Sequence, residues 1–224
     1  PDDVTNEASR ALARVAFAER RYEDALKFYE TIRQTAPDDP QLLLEMAWTH
    51  YYLGQSRRAL GLLVALDAPA YVELIAPERF LLEALALRRI CQFEPARKAA
   101  VRLRERLGDA LADLHDGVPL RHSDALKAAA RLRTNGRPIA DFRYRVETES
   151  AMVAELADDL GEEATKTLTE LYSRGVTEAS RREDELLGSE MERLAEELLA
   201  AEEGVRLILH ELSVALLRGR GRPE

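Results

Sequence analysis

Three short segments centred on alanine recur along the first half of the chain: Arg21-Tyr22-Glu23-Asp24-Ala25-Leu26, Gln55-Ser56-Arg57-Arg58-Ala59-Leu60 and Gln92-Phe93-Glu94-Pro95-Ala96-Arg97. Ala25 and Ala59 stand 34 residues apart, and Ala96 follows after 37, with the three extra residues falling in the loop around 67–75. A fixed period of this length restricts the chain to stacked copies of one supersecondary unit, because a single unit cannot bury its apolar face alone. Each copy pairs an upstream helix carrying a small residue (Ala13, Ala47, Ala84) with a downstream helix carrying Ala25, Ala59 or Ala96. Small side chains at those points let two helix axes approach closely. Bulk fills the rest, through Leu12, Tyr22, Leu26, Tyr29 and Ile32 in the first unit and Leu43, Met46, Leu53, Leu60, Leu63 and Leu66 in the second. Pro37 and Pro40 mark the first boundary and Pro69 and Pro77 the second, since proline opens or closes a helix but does not continue one.

These matched positions resemble those of tetratricopeptide repeat (TPR) proteins. The resemblance covers about residues 6–108 and implies three helical hairpins, at about 6–39, 40–73 and 77–108. The first unit departs from the pattern with Arg20-Arg21 where a glycine often precedes the aromatic residue, the second has Ser56 in place of that aromatic, and Pro95 opens the last helix; Gly54 keeps the usual turn. Aromatic residues amount to only 6% and Ala, Leu, Glu and Arg dominate, which favours helix and leaves little material for sheet. The expected fold is all-α: a TPR-like helical-hairpin superhelix over 1–108, connecting helices over 109–138, a long helical hairpin or coiled-coil-like region over 139–217, and a basic flexible tail at 218–224.

In the architecture that the resemblance implies, the first helix of each pair lines a groove. Equivalent positions place Glu7, Arg10, Arg14 and Phe17 there from the first unit, Gln41, Leu44, Trp48, Tyr51 and Tyr52 from the second, and Leu81, Leu85, Arg88 and Arg89 from the third. The only tryptophan and two of seven tyrosines fall in one helical turn among arginines, a mixture enriched at binding hot spots. Arginine can fork onto the carboxylate of a peptide terminus or an acidic side chain. Two occupants fit this face: a peptide segment or helix of a partner protein, or the C-terminal half of the same chain.

The 34-residue signature stops after Gly108. One short helix is expected from about Asp109 to His115 and another from Ser123, as its cap, to about Leu132, ending at Asn135-Gly136. Phe142, Val146, Glu149, Val153, Leu156 and Leu160 then recur at alternating steps of 4 and 3. So do Leu187, Met191, Leu194, Leu198, Ala201, Val205, Ile208, Leu212 and Ala215, over four heptads without a slip. Gly161, Gly175, Gly188 and Gly204 are places for a turn or bend. The reading is an antiparallel hairpin with its reversal between Gly161 and Gly188, or one extended helix that pairs with a second protein or self-associates through 187–216. Glu162 to Glu203 carries 13 acidic and 5 basic residues, the composition of a solvated face. The segment Val205–Leu212 is apolar on more than one face, which points to a sandwiched helix that docks into its own repeats or into a partner.

The residues of catalysis are missing as patterns. His50, His115, His122 and His210 lie far apart, Cys91 stands alone, and no helical His pair, calcium loop, phosphate loop, dinucleotide glycine pattern or Gly-flanked nucleophilic serine occurs. The expectation is a non-enzymatic protein without cofactor or metal. A net charge of −9 argues against a whole-protein nucleic-acid footprint. Only the tail Arg218-Gly219-Arg220-Gly221-Arg222-Pro223, similar to an AT-hook core, keeps a DNA-contacting regulator as the alternative. No apolar run approaches a membrane span, and a single cysteine fits either the cytoplasm or the periplasm.

The wording of Leu44–Gly54, Ala65–Pro69 and Leu81–Ala96, the last ending in Cys91-Gln92-Phe93 and Glu94-Pro95-Ala96, resembles bacterial TPR proteins of the cell envelope, notably those of myxobacteria and relatives. That resemblance implies a periplasmic or outer-membrane-associated scaffold or adaptor, in the manner of motility or secretion machines.

Overall fold

The computed structural model describes residues 2–37, 39–68, 71, 76–133 and 137–220. Among them every regular element is helical: α1 (Asp2–Ala18), α2 (Tyr22–Thr35), α3 (Pro40–Tyr52), α4 (Ser56–Ala65), α5 (Glu78–Arg89), α6 (Phe93–His115), a 3-10 turn (Leu120–His122), α7 (Asp124–Arg133), α8 (Arg137–Glu155), α9 (Ala157–Leu160) and α10 (Glu162–Arg220). No described helix is long and apolar enough to cross a membrane. The chain divides into two compact units, one of 1–108 with 197–224 and one of 109–196.

In the first unit α1 packs on α2 and α3 on α4, and Glu83 of α5 pairs with Arg102 of α6. Local chemistry sets their ends. Asp39 caps α3 by accepting from the Leu42 N–H at 3.1 Å, and Pro40 occupies the first helical position, where its missing donor costs nothing. Glu23 and Asp24 sit in the first turn of α2 and Arg33 in its last, each complementing the helix dipole. The three hairpin turns share one geometry. Arg20, Gly54 and Cys91 all have left-handed backbone, with φ of 62°, 79° and 60°. Around each, the same pair of bonds closes the helix: Arg20 N–H to Phe17 and Arg21 N–H to Ala16; Gly54 to Tyr51 and Gln55 to His50; Cys91 to Arg88 and Gln92 to Leu87. The repeat is thus written into the backbone even where glycine is absent from the sequence.

All six alanines expected at helix crossings are fully buried. Ala13, Ala16 and Ala25 pack with Tyr29, Ile32, Leu42 and Met46 in one cluster, and Ala47 and Ala59 with Leu43, Leu44, Leu63, Leu66 and Leu82 in the next. Leu12, expected in this core, is instead 52% exposed, because α1 buries only the stripe of Ala13 and Ala16. Buried Arg79 ties the end of the second hairpin to the third, donating to the Leu66 carbonyl at 3.2 Å and pairing with Asp67. The C-terminal part of α10 belongs to this unit. Gly204 lies so close to Leu81 that a Cβ would come within 2.8 Å of the leucine side chain, and Arg88 and Arg104 pair with Glu211 and Glu202 at 3.0 and 2.9 Å.

In the second unit α8 and α10 run antiparallel, with Tyr172 donating to Glu149 at 3.0 Å and Gly175 facing Val146. The reversal is at Gly161, whose φ of 78° ends α9, and α10 passes through Gly175, Gly188 and Gly204 as one helix. The reversal thus falls at the first end of the expected range, 161–188, and the second arm runs on from there. The expected short helix at 109–115 follows a break in α6 at Leu107, whose φ of −128° and ψ of 19° are not helical. Ser123 caps α7 as its sequence implies, accepting from Leu126 N–H at 3.0 Å and donating to Asp113 at 2.6 Å.

The two heptad stripes differ. From Leu187 to Leu212 all eight stripe residues are buried, so this face is consumed within the fold and is not free for a second chain; Ala215 is half-buried. In the weaker stripe Phe142, Leu156 and Leu160 are exposed and only Val153 is buried. Nor is the acidic run wholly solvated. Glu183 and Glu190 are buried, Glu183 between Arg131 and Arg143 and Glu190 between Arg133 and Arg193, while Asp184 holds Lys127 at 3.0 Å. Carboxylates can be buried here because each meets guanidinium groups. In the tail, α10 reaches Arg220; the rest of the Arg-Gly motif, at 221–224, lies outside the described residues.

Candidate functional site

The proposed groove residues separate into three groups. Leu44 is fully buried in the core, because α3 is enclosed on several sides and also buries Leu42, Leu43, Met46, Ala47, Thr49 and His50; it cannot touch a ligand. Tyr51, Leu85, Arg88 and Arg89 face Phe93 and the end of α10, where His210, Glu211 and Val214 complete a shared cleft, and Leu81 packs at Gly204. The cleft stays open, with Arg88 and Arg89 exposed. Arg89 stacks over the Tyr51 ring, 5.3 Å from its centre, and donates to the Tyr51 carbonyl at 2.8 Å. Gln41 is half-buried at the start of α3.

The third group is open. Arg14 and Phe17 from α1, Tyr29 from α2, Glu45, Trp48 and Tyr52 from α3 and Glu78 from α5 line a cavity of about 330 Å³. Its aromatic wall is continuous: Tyr52 stacks on Tyr22 at 5.3 Å and 11°, lies at 26° to Trp48 with centres 6.0 Å apart, and meets Phe17 edge-on at 5.5 Å. Such contacts hold rings in place and preorganise a flat apolar surface.

Polar groups converge at one end. Arg10 pairs with Asp39 and lies 3.7 Å from Glu45, while Arg14 closes on Glu45, its Nε at 3.1 Å from Oε1. Both Arg14 bonds end on Oε1. Glu45 Oε2 and the indole Nε1 of Trp48 are buried and have no hydrogen-bond partner. The phenol of Tyr29 is pushed up from its ordinary value, first by burial and then by the neighbouring negative charge of Glu45, so it stays protonated. Arg10, Arg14, Arg88 and Arg89 each pair with an oxygen of the chain.

Glu45 was absent from the residues nominated by sequence, although it lies three positions before Trp48 and hence on the same helical face. In the sequence Tyr22 and Tyr29 look like core filling, and Glu78 carries no local signal.

A tetratricopeptide repeat family model matches residues 16–73, the stretch that holds α2, α3, α4 and the end of α1. That stretch, 58 of the 224 residues, is similar to tetratricopeptide repeats. The repeat turn at Gly54 and the alanines at 25, 47 and 59 fall inside the match, as do Phe17, Tyr29, Glu45, Trp48 and Tyr52 of the cavity. No curated protein and no solved structure matches the chain. The repeat is a protein-interaction module, and among the described residues no group of three or more His, Cys, Asp or Glu side chains is placed to hold a metal ion.

Proposed function

We propose that this chain is a non-enzymatic scaffold whose first two repeats hold a segment of a protein partner. The observation that carries this reading is the open aromatic cavity lined by Phe17, Trp48 and Tyr52. Rings held by one another lose little entropy when they meet a ligand, and a central aromatic pocket is where binding energy concentrates. The third repeat differs in that the end of α10 stands opposite its groove side, leaving a cleft between them. The setting we infer, from the resemblance of the repeat wording, is a structural assembly of the bacterial envelope, and fractionation of the full-length protein tests it: recovery with cytoplasmic proteins alone removes that part of the reading.

The scaffold itself is tested by replacing Trp48 and Tyr52 together with alanine and comparing the proteins retained by the variant and the parent. Loss of specific partners with helical content and melting behaviour preserved is the expected outcome. A folded variant that retains every partner of the parent overturns the assignment of the site.

A further inference from the structure

The second unit leaves an apolar helix face open to water. The strong stripe of α10 is used up inside the fold, since its eight residues from Leu187 to Leu212 are buried. On α8 the reverse holds: Phe142, Met152 and Leu156 are 51%, 52% and 50% exposed. Steps of 3, 4, 3 and 4 join Phe142, Arg145, Glu149, Met152 and Leu156 into one stripe along this helix. Leu171 of α10, 63% exposed, stands at the level of that stripe, since the neighbouring Tyr172 donates to Glu149 at 3.0 Å. At these exposures the four apolar side chains leave roughly 400 Å² open to water, and because an interface is on average a little over half apolar, they correspond to a patch of roughly 700 Å². Two such patches together reach the area of a stable protein–protein interface.

The charges on the stripe point to what covers it. Arg145 is exposed and among the described residues meets no carboxylate, its Nε reaching only the Asp141 carbonyl at 3.4 Å. Glu149 is exposed too and holds only the Tyr172 hydroxyl. The two are not paired with each other although they stand four residues apart, and an arginine placed before the glutamate is the poorer order for such a pair. Their spacing has a centre. Arg145 and Glu149 lie two residues to either side of Glu147, and Phe142 and Met152 lie five to either side of it. Glu147 itself pairs with Arg143 at 2.8 Å and so brings no unmatched charge to that centre. A two-fold axis crossing α8 at this level sets Arg145 against Glu149 of a second copy and Phe142 against its Met152, each contact made twice. An isologous interface requires this self-complementarity, and a different protein has no need of it. We propose that the chain forms a two-fold dimer in which α8 packs antiparallel on the α8 of a second copy, centred at Glu147. The pairing uses α8 and not the aromatic cavity, so it stands or falls apart from the scaffold reading. A dimer offers a partner two cavities, and a partner with two matching segments gains by avidity.

Sedimentation of the full chain at about 1 to 100 µM, against the monomer mass of 25.2 kDa, is the test. A concentration-dependent rise to twice that mass is expected. Arg145→Glu sets two carboxylates against each other at both ends of the interface, and Glu149→Arg does the same with two guanidinium groups. Each substitution is expected to weaken the dimer at least about tenfold. Mixed in equal amounts, the two variants restore both opposite-charge pairs, and the mixture is expected to form a heterodimer about as readily as the parent dimerises. Phe142→Asp together with Met152→Asp, both at exposed positions, is expected to leave a monomer with the helical content of the parent. A parent that stays monomeric at every concentration overturns the proposal and leaves the face to a different protein. A dimer undiminished in both charge variants, or a mixture that associates no better than either variant alone, overturns it as well. Should the double Asp variant fail to fold, the charge exchange decides, because Arg145 and Glu149 are both exposed and neither holds a carboxylate–guanidinium pair among the described residues.

Discussion

Cys91 and Arg20 hold a backbone conformation that the hairpin turn imposes and that their side chains resist. A left-handed residue other than glycine costs about 1–2 kcal/mol, and at the equivalent third position the chain uses Gly54. Both side chains are exposed, so little packing is lost on removing them. Cys91→Gly and Arg20→Gly are therefore each expected to stabilise the protein by about 0.5–1 kcal/mol, the relief of strain exceeding the added entropy of the unfolded chain. Gly54→Ala is expected to cost a similar amount. The urea midpoint at constant slope measures all three, and a fall in midpoint for Cys91→Gly contradicts the account. At this scale the sequence was informative where a position tolerates only one kind of residue. The six crossing alanines could be read directly because nothing larger fits between close helices. Leu12 and Leu44 could not be told apart, since both are leucines on helical stripes and only the number of neighbouring helices decides that one is exposed and the other enclosed.

The elements show the same contrast between local and distributed signals. The heptad stripe of α10 was legible from Leu187 to Leu212 because eight positions repeat without interruption, and all eight are buried. The extent of α10 was not, because an interior glycine marks equally well a turn, a bend or a close approach. Gly161 turns the chain, with φ of 78°, while Gly188 and Gly204 remain helical. The latter two differ in their surroundings. Nothing lies within 4 Å of a Cβ built on Gly188, whereas one built on Gly204 collides with Leu81 at 2.8 and 2.9 Å. Gly188→Ala is accordingly expected to stabilise by about 0.5–1 kcal/mol through helix propensity. Gly204→Ala must displace Leu81, and overpacking offsets or exceeds that gain, so its midpoint is expected to fall short of the Gly188→Ala value and to drop below the parent if Leu81 cannot turn aside. Equal stabilisation by the two substitutions, measured by thermal or urea unfolding, contradicts the close approach of α10 to α5. The candidate site was half legible for a related reason. Trp48, Phe17 and Arg14 stood out by residue type and spacing, but Glu45 became meaningful only once Arg14 was seen to use one of its oxygens and leave the other.

For the whole molecule, the sequence divides after the third repeat, yet the compact unit that holds the repeats also takes in 197–224. The repeat array is thus completed by a segment roughly ninety residues further along the chain, with Gly204 against Leu81 and ion pairs from Glu202 and Glu211 to Arg104 and Arg88. Solenoids need a polar cap where stacking stops, because each repeat leaves an apolar face for the next. The end of α10 has the composition of such a cap: Leu198, Ala201, Val205, Ile208 and Leu212 are buried while Glu203, Arg206 and Glu211 meet solvent. Ending the chain after Glu196 removes those five apolar side chains from the unit. At about 25 cal/mol per Å² of apolar surface, the loss amounts to several kcal/mol, a large part of the stability of an ordinary domain. The truncated protein is expected to unfold at lower temperature, to bind a hydrophobic dye more strongly than the parent, and to be cleaved first around α5 and α6, whereas α1 to α3, which carry all of the cavity lining except Glu78 of α5, lose protection last. A truncated form with the parent's unfolding temperature and cleavage pattern would show that the repeats stand without their cap. Truncation that instead opened α1 before α5 would place the stabilising contact at the wrong end of the array. The distinction matters for the scaffold reading, since a ligand site in the first two repeats and a cap on the third leave binding and stability to different ends of one stack.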